Sequence, residues 1–218
     1  MDHDRQPDYD WPPDDPAPDL GLDAAPPPVE IAEQAGTLLV YVRRALEFEL
    51  DQTADTLPVL DHYVGLVHDS LAARPELLPV VARAVAAYFG EVVRTELPSF
   101  WAQMGPSPAD YYLCLRPVFL AFRPLGIAYD VLTRGGDHDG PSPEFCLLRE
   151  ERAAVAKRLG DLPPVPTSEY YLLSTRLEAI QIAAEALRAQ RLARHQDLAL
   201  YGVDDYERYV SLDGRFVD

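Results

Sequence analysis

The charged residues best placed to do chemistry stand in one apolar helical stretch, VVARAVAAYFGEVVRTELPSFW (residues 80–101). On a helical wheel Glu91 falls at the flank of an apolar face, where an unpaired carboxylate would be strongly destabilising. Glu91 therefore needs a donor or a cation. Arg94 at i+3 is the local candidate, and Arg176, which falls inside the apolar face of a later helix, is the distant one. We predict a Glu91–Arg176 ion pair across the bundle.

Gly90, the residue before this carboxylate, raises a second question. A glycine in a helix interior costs about 1 kcal/mol relative to alanine, so this one predicts the close approach of another backbone or of a bulky ring. If the surroundings of Glu91 reach solvent, Tyr88, Arg94 and Trp101 would line a pocket with it. If they are closed, the same residues form a structural polar site.

The sequence gives little support for a metal site, a catalytic nucleophile or a phosphate-binding loop. His62 and His68 lie six residues apart on one predicted helix and do not share a face well. Asp137, His138 and Asp139 are neighbours in a glycine-rich loop, and adjacent residues rarely chelate one ion alone. The sequence contains neither a Gly-x-Ser-x-Gly turn nor a phosphate loop. We predict no catalytic residue, no metal and no cofactor.

The acidic composition of the chain indicates which classes of macromolecule it could bind. The net charge of −17 and the pI near 4.5 disfavour nucleic acid and anionic membranes and favour a basic protein. The two cysteines, Cys114 and Cys146, are too few for a disulfide scaffold, so we predict reduced thiols. Because the sequence shows neither a signal peptide nor an apolar run long enough to span a bilayer, we expect a cytoplasmic protein.

The first 28 residues are rich in Asp and Pro and contain few apolar side chains. This composition predicts an acidic, disordered, extended arm. The arm is either a solubilising tail or a linear motif around PDYDWPP, whose Tyr9 and Trp11 would dock on a partner.

Helical periodicity begins at Val29 and dominates the rest of the chain. Predicted helices run from 29 to near 50, from about 57, from about 75 to 96, over 125–134, from about 142 to 159, from 167 onward, and over 204–210. Between Trp101 and Phe122, short aromatic runs broken by prolines predict a small antiparallel hairpin. The fold class is therefore α+β, mainly α. We predict one domain over 29–200, a bundle of about five or six helices around the Gly90 helix, followed by a C-terminal segment, 201–218.

The segments LPVLDHYV, VVARAVAAYFGEVVR and YYLCLRP form one recognisable series. An aromatic-x-Gly-Glu helix followed by Trp101 and a β-like pair resembles uncharacterised bacterial helical domains, over residues 50–130. The resemblance implies a cytosolic helical domain with a small sheet. It implies no activity, substrate or catalytic residue.

Tyrosines near the C-terminus, Tyr201, Tyr206 and Tyr209, are candidate interface residues, or they cover the ends of the bundle. The sequence as a whole predicts a non-enzymatic interaction module (an adaptor, regulator or immunity-type partner) whose acidic surface binds a basic protein. The alternatives are an enzyme or small-ligand binder with a pocket around Glu91, and a structural or assembly subunit.

Overall fold

The computed structural model describes residues 25–195 and 200–213, with side chains as far as Tyr209. Tyr9 and Trp11 lie outside the described residues. The helices are α1 (Val29–Leu46), α2 (Leu57–Ala73), α3 (Leu78–Glu96), α4 (Pro124–Thr133), α5 (Arg152–Gly160), α6 (Thr167–Tyr170), α7 (Leu173–Ala193) and α8 (Val203–Asp213). The strands are β1 (Ser99–Gln103), β2 (Tyr111–Leu115), β3 (Leu120–Phe122) and β4 (Cys146–Leu147).

Helix α3 is the central element of the helical layer. Both of its apolar faces are buried, and it packs against α1 on one side and α4 on the other. Prolines fall at the starts of α2, α3 and α4, where a missing N–H removes no intrahelical hydrogen bond. The prediction that the Gly90 helix lies at the centre of the bundle is confirmed.

The four strands form one antiparallel sheet in the order β1-β2-β3-β4. Trp101 pairs with Leu113, and Leu113 pairs with Phe122, so these side chains share one face of the sheet. That face belongs to the main core with α3 and α4.

The opposite face of the sheet is covered by α8. Tyr206 is fully buried there against Phe100 and Phe119, and its ring stacks on Phe119 at a centroid distance of 4.3 Å. Its hydroxyl accepts from the Leu120 N–H (3.1 Å) and donates to the Leu115 carbonyl (2.7 Å). The sheet is therefore buried on both sides, with α8 as the outer layer.

The two cysteines lie on this second face, on strands that flank β3. Cys114 pairs with Ala121, and Ala121 pairs with Cys146. Two strand spacings amount to about 9–10 Å, whereas a disulfide needs Cα atoms within about 7 Å. The thiols are therefore not bridged to each other, as the sequence predicted.

The fold class is confirmed as α+β, mainly α, with eight helices among the described residues in place of the predicted five or six. The predicted hairpin is wrong in extent, because β4 completes a four-stranded sheet. Cys146 and Leu147 pair with β3, so the helix predicted from 142 begins only at Arg152.

Two other helix boundaries also differ from the prediction. The first helix ends at Leu46 and not near Leu50, since Glu47 adopts a left-handed conformation (φ 54°). The helix predicted from 167 is interrupted at Leu172, whose backbone is extended, and α7 starts afresh at Leu173.

No helix among the described residues is long and apolar enough to cross a bilayer.

Candidate functional site

Trp101 and α3 meet at the position that the sequence singled out. A Cβ placed on Gly90 would lie under 3.0 Å from two atoms of the Trp101 six-membered ring, Cζ2 and Cη2. Only a residue without a side chain lets the indole lie this close to the helix backbone. The prediction that Gly90 admits a bulky ring is confirmed.

Glu91 holds the polar edge of the same indole. Trp101 Nε1 donates to Glu91 Oε1 at 2.7 Å, and Arg94 Nη1 donates to both carboxylate oxygens at 3.0 Å. The Glu91 and Arg94 side chains are 12% and 7% exposed, so this ion pair is largely withdrawn from water. The local partner for Glu91 is the correct one, and the Arg94 cation and the Trp101 donor offset the cost of burying the carboxylate.

Arg176 is not the partner of Glu91, so the predicted ion pair across the bundle is wrong. Its guanidinium pairs with Asp130 on α4 and lies over the Tyr170 ring, 4.1 Å from the ring centre. The helical wheel correctly placed Arg176 on a buried face. A wheel does not show which helices are neighbours, and the Glu91 helix is not the one that Arg176 faces. Helix α7 packs against α2, α4 and α5.

The surroundings of Glu91 are closed. Tyr88 is fully buried, and its hydroxyl bonds to the Gln52 N–H (2.8 Å) and to Thr56 Oγ1 (3.1 Å). Burial is the main reason that the pKa of Tyr88 is raised. Tyr88 thus ties α3 to the loop after α1, while Glu91 pairs with Arg94 and Trp101. Among the described residues, the four side chains of the predicted pocket, Tyr88, Glu91, Arg94 and Trp101, therefore contact protein partners and do not line one shared pocket.

A solvent-reaching cleft lies instead on another side of Trp101. Its volume is about 190 Å³, and it opens between the start of α1, the middle of α3 and the ends of β1 and β2 nearest Tyr111. Trp101 and Tyr111 form two of its walls, with ring centres 6.4 Å apart and ring planes at 89°. Its charged residues are Glu30 and Arg83. Sequence patterns gave no indication of this cleft, because its residues come from five separate segments.

Arg94 also connects the Glu91 site to the N-terminal segment. Its Nη2 donates to the Ala25 carbonyl at 2.5 Å. The chain therefore enters α1 from a fixed point on α3, close to the site formed by Gly90, Glu91 and Trp101.

Asp61 is a buried carboxylate that the sequence analysis did not select. It accepts from the Leu173 N–H (2.6 Å), the Ser174 N–H (3.2 Å) and the Ser174 hydroxyl (2.7 Å). Desolvation raises the pKa of Asp61 despite these hydrogen bonds. A signal did exist, because an aspartate shares the apolar face of α2 with Leu57 and Val64.

The C-terminal tyrosines cover the second face of the sheet. Tyr206 is a core residue, so its prediction as an interface residue is wrong. Tyr201 and Tyr209 are partly buried and contact the Phe119 ring at 5.4 and 4.9 Å between centroids. The alternative, that these residues cover the ends of the helical bundle, does not fit Tyr206 either, because Tyr206 packs on a face of the sheet.

Within the described part of the chain, no group of three or more His, Cys, Asp or Glu side chains is arranged to hold a metal ion. The polar sites described above are two ion pairs, Glu91–Arg94 and Asp130–Arg176, and one helix cap, Asp61. A comparison with protein-family models, curated proteins and solved structures finds no match to this chain.

Proposed function

We propose that the protein is a non-catalytic cytoplasmic interaction module that captures a basic protein through its acidic N-terminal arm. The first 24 residues contain eight Asp and one Arg, in a chain whose net charge is −17. Such a charge density attracts a cationic partner and accelerates its association.

The observation that carries this proposal is the attachment of the arm to the folded core. Arg94 donates a hydrogen bond to the Ala25 carbonyl and forms an ion pair with Glu91. Glu91 in turn accepts a hydrogen bond from the Trp101 indole. Ala25 is therefore fixed to α3 close to Trp101, and the acidic residues that precede it in the sequence are joined to the core at this point. An acidic segment attached in this way raises the local concentration of a basic partner at that face.

The alternatives differ in what they require of the molecule. A pocket around Glu91 would require solvent access, and the Glu91–Arg94 pair is closed. An assembly subunit would form a stable homo-oligomer, so light scattering of the purified protein over a range of concentrations separates that class from a capture module.

The test compares two variants that each replace eight acidic residues by their amides. One variant changes the eight Asp of residues 1–24 to Asn. The control changes eight exposed acids of the folded part: Asp55, Asp69, Glu76, Asp137, Asp139, Glu144, Glu178 and Glu185.

Each protein is used to capture partners from lysate of the source organism, and the captured partner is then purified for calorimetry. We expect a basic partner whose affinity drops about tenfold or more with the arm variant and changes less than about threefold with the control. The affinity for the unmodified protein should also weaken between about 50 and about 300 mM NaCl. An acidic partner, or equal losses with both variants, would contradict the proposal.

A further inference from the structure

The cleft beside Trp101 has apolar walls and two charged ends. Glu30, in the first turn of α1, lies beside the Tyr111 hydroxyl, and desolvation followed by the negative charge of Glu30 raises the pKa of Tyr111. Arg83 lies toward α4, where its positive charge acts on Tyr129. The negative end of the cleft therefore coincides with the corner formed by the Trp101 and Tyr111 rings.

An aromatic corner with a nearby carboxylate favours a cation over a neutral or anionic group. Ring faces attract Lys and Arg side chains, and tryptophan is the strongest aromatic partner. The carboxylate adds a direct charge interaction, and the net charge of −17 adds a long-range one.

We propose that this cleft binds one Lys or Arg side chain of the basic partner, with its cationic group between Trp101, Tyr111 and Glu30. This inference rests on the proposed function and identifies the side chain of the partner that the folded core binds. The aliphatic stem of the inserted side chain contacts Ile31 and Leu125 in the walls. Arg83 repels a cation from the opposite end and is available to a carbonyl or carboxylate of the partner.

The size and rigidity of the cleft fit this occupant. A cavity of about 150 Å³ is large enough for benzene, so 190 Å³ holds a single long side chain and not a drug-sized molecule. The Trp101 ring is fixed by Gly90 and by the hydrogen bond to Glu91, so little conformational entropy is lost when a side chain inserts.

Binding can be measured without the natural partner. Trp11 is the only other tryptophan, so a full-length Trp11→Phe protein makes Trp101 the sole indole reporter in fluorescence and in ¹H–¹⁵N spectra. The probes are the blocked tripeptides Ala-Arg-Ala and Ala-Lys-Ala, the citrulline peptide as the neutral isostere of arginine, and Ala-Glu-Ala.

We expect saturable shifts of the Trp101 indole signal with the Arg and Lys peptides, and binding about fivefold to tenfold weaker with citrulline. Glu30→Gln should weaken Arg-peptide binding about threefold or more, whereas Glu33→Gln, one turn away and exposed, should leave it unchanged. Equal binding of arginine and citrulline peptides, preference for the Glu peptide, or no effect of Glu30→Gln would overturn the proposal.

The two proposals fail separately. If the natural partner is captured through the arm but Glu30→Gln does not change its affinity, the cleft proposal is wrong and the capture function stands. If the Arg peptide binds at Glu30 but neutralising the arm does not affect capture, the arm-based function is wrong and the cleft remains a cation site.

Discussion

Two consecutive residues of α3 hold Trp101, each acting on a different part of the indole. Gly90 removes the side chain that would collide with the six-membered ring, and Glu91 accepts the hydrogen bond of the pyrrole N–H. Neither residue is favourable in an apolar helix by itself. Together they fix the Trp101 ring, which links α3 to β1. The packing of this one ring therefore explains both the glycine and the carboxylate in α3.

Gly90→Ala should therefore destabilise the protein although alanine is the better helix former. Alanine gains about 1 kcal/mol of helix propensity. The new Cβ displaces the Trp101 ring, and overpacking of this kind costs about 1–3 kcal/mol. We expect a net loss of up to about 2 kcal/mol in the free energy of unfolding, measured by urea denaturation, together with a changed near-ultraviolet signal from Trp101.

Gly36→Ala is the matched control for this measurement. Gly36 lies inside α1, and an added Cβ there has no atom within 4 Å. This substitution should raise stability by about 0.5–1 kcal/mol. If Gly90→Ala stabilises the protein as much as Gly36→Ala does, the close approach of Trp101 does not explain the glycine.

At the scale of elements, the start of α7 is set from outside the helix. Asp61 on α2 accepts hydrogen bonds from the first two N–H groups of α7, where a helix has no internal acceptors. A carboxylate at this position also interacts favourably with the helix dipole. Asp61 thus caps α7 and joins it to α2.

The buried position of Asp61 predicts a pH dependence of stability. Desolvation raises its folded-state pKa above the ordinary value of 3.8, so the folded state binds more protons than the unfolded state in the interval between them. The free energy of unfolding should therefore fall as the pH rises from 3.8 through the folded-state pKa. Asp61→Asn removes this titration, so wild type should lose stability relative to the variant as the pH rises toward neutrality.

Urea midpoints at a series of pH values measure this difference. Asp69→Asn, an exposed change on the same helix, is the control and should follow wild type throughout. A constant difference between wild type and Asp61→Asn at all pH values would show that the titration of Asp61 does not contribute.

Sequence-based prediction succeeded for elements whose structure depends on their own residues and failed for elements that depend on residues distant in the sequence. Helix α3 and the role of Gly90 were predictable because the pattern lies within one stretch. The start of α7 was not, because Asp61, more than a hundred residues earlier, caps it. Strand β4 was predicted as helix for the same reason, since Cys146 and Leu147 become a strand only by pairing with β3. The partner of Arg176 depended on helix packing, which a wheel does not contain.

At the scale of the whole molecule, the sheet separates two apolar clusters. The larger cluster lies between the sheet and the helices around α3, and the smaller one lies between the sheet and α8. Tyr206 closes the smaller cluster and satisfies backbone groups of β2 and β3. The C-terminal helix is thus part of the core, although its sequence has the acidic, tyrosine-rich composition expected of a surface segment.

Net charge is a property of the whole molecule that opposes folding. With 36 acidic and 19 basic residues, the chain carries a net −17, and self-repulsion of this kind destabilises a compact state. The Glu91–Arg94 and Asp130–Arg176 pairs neutralise only a few of the acids. The excess of negative charge that favours binding of a basic partner therefore also lowers the stability of the free protein.

Screening should therefore stabilise the free protein at neutral pH. We expect the melting temperature to rise by a few degrees between about 50 and about 500 mM NaCl at pH 7, because the Debye length shrinks to less than half its value. Scanning calorimetry at low protein concentration measures this change. Near the pI of 4.5 the net charge vanishes, so the same addition of salt should give a much smaller rise. An equal rise at both pH values would mean that salt acts through preferential exclusion or specific ion binding and not through relief of the net negative charge.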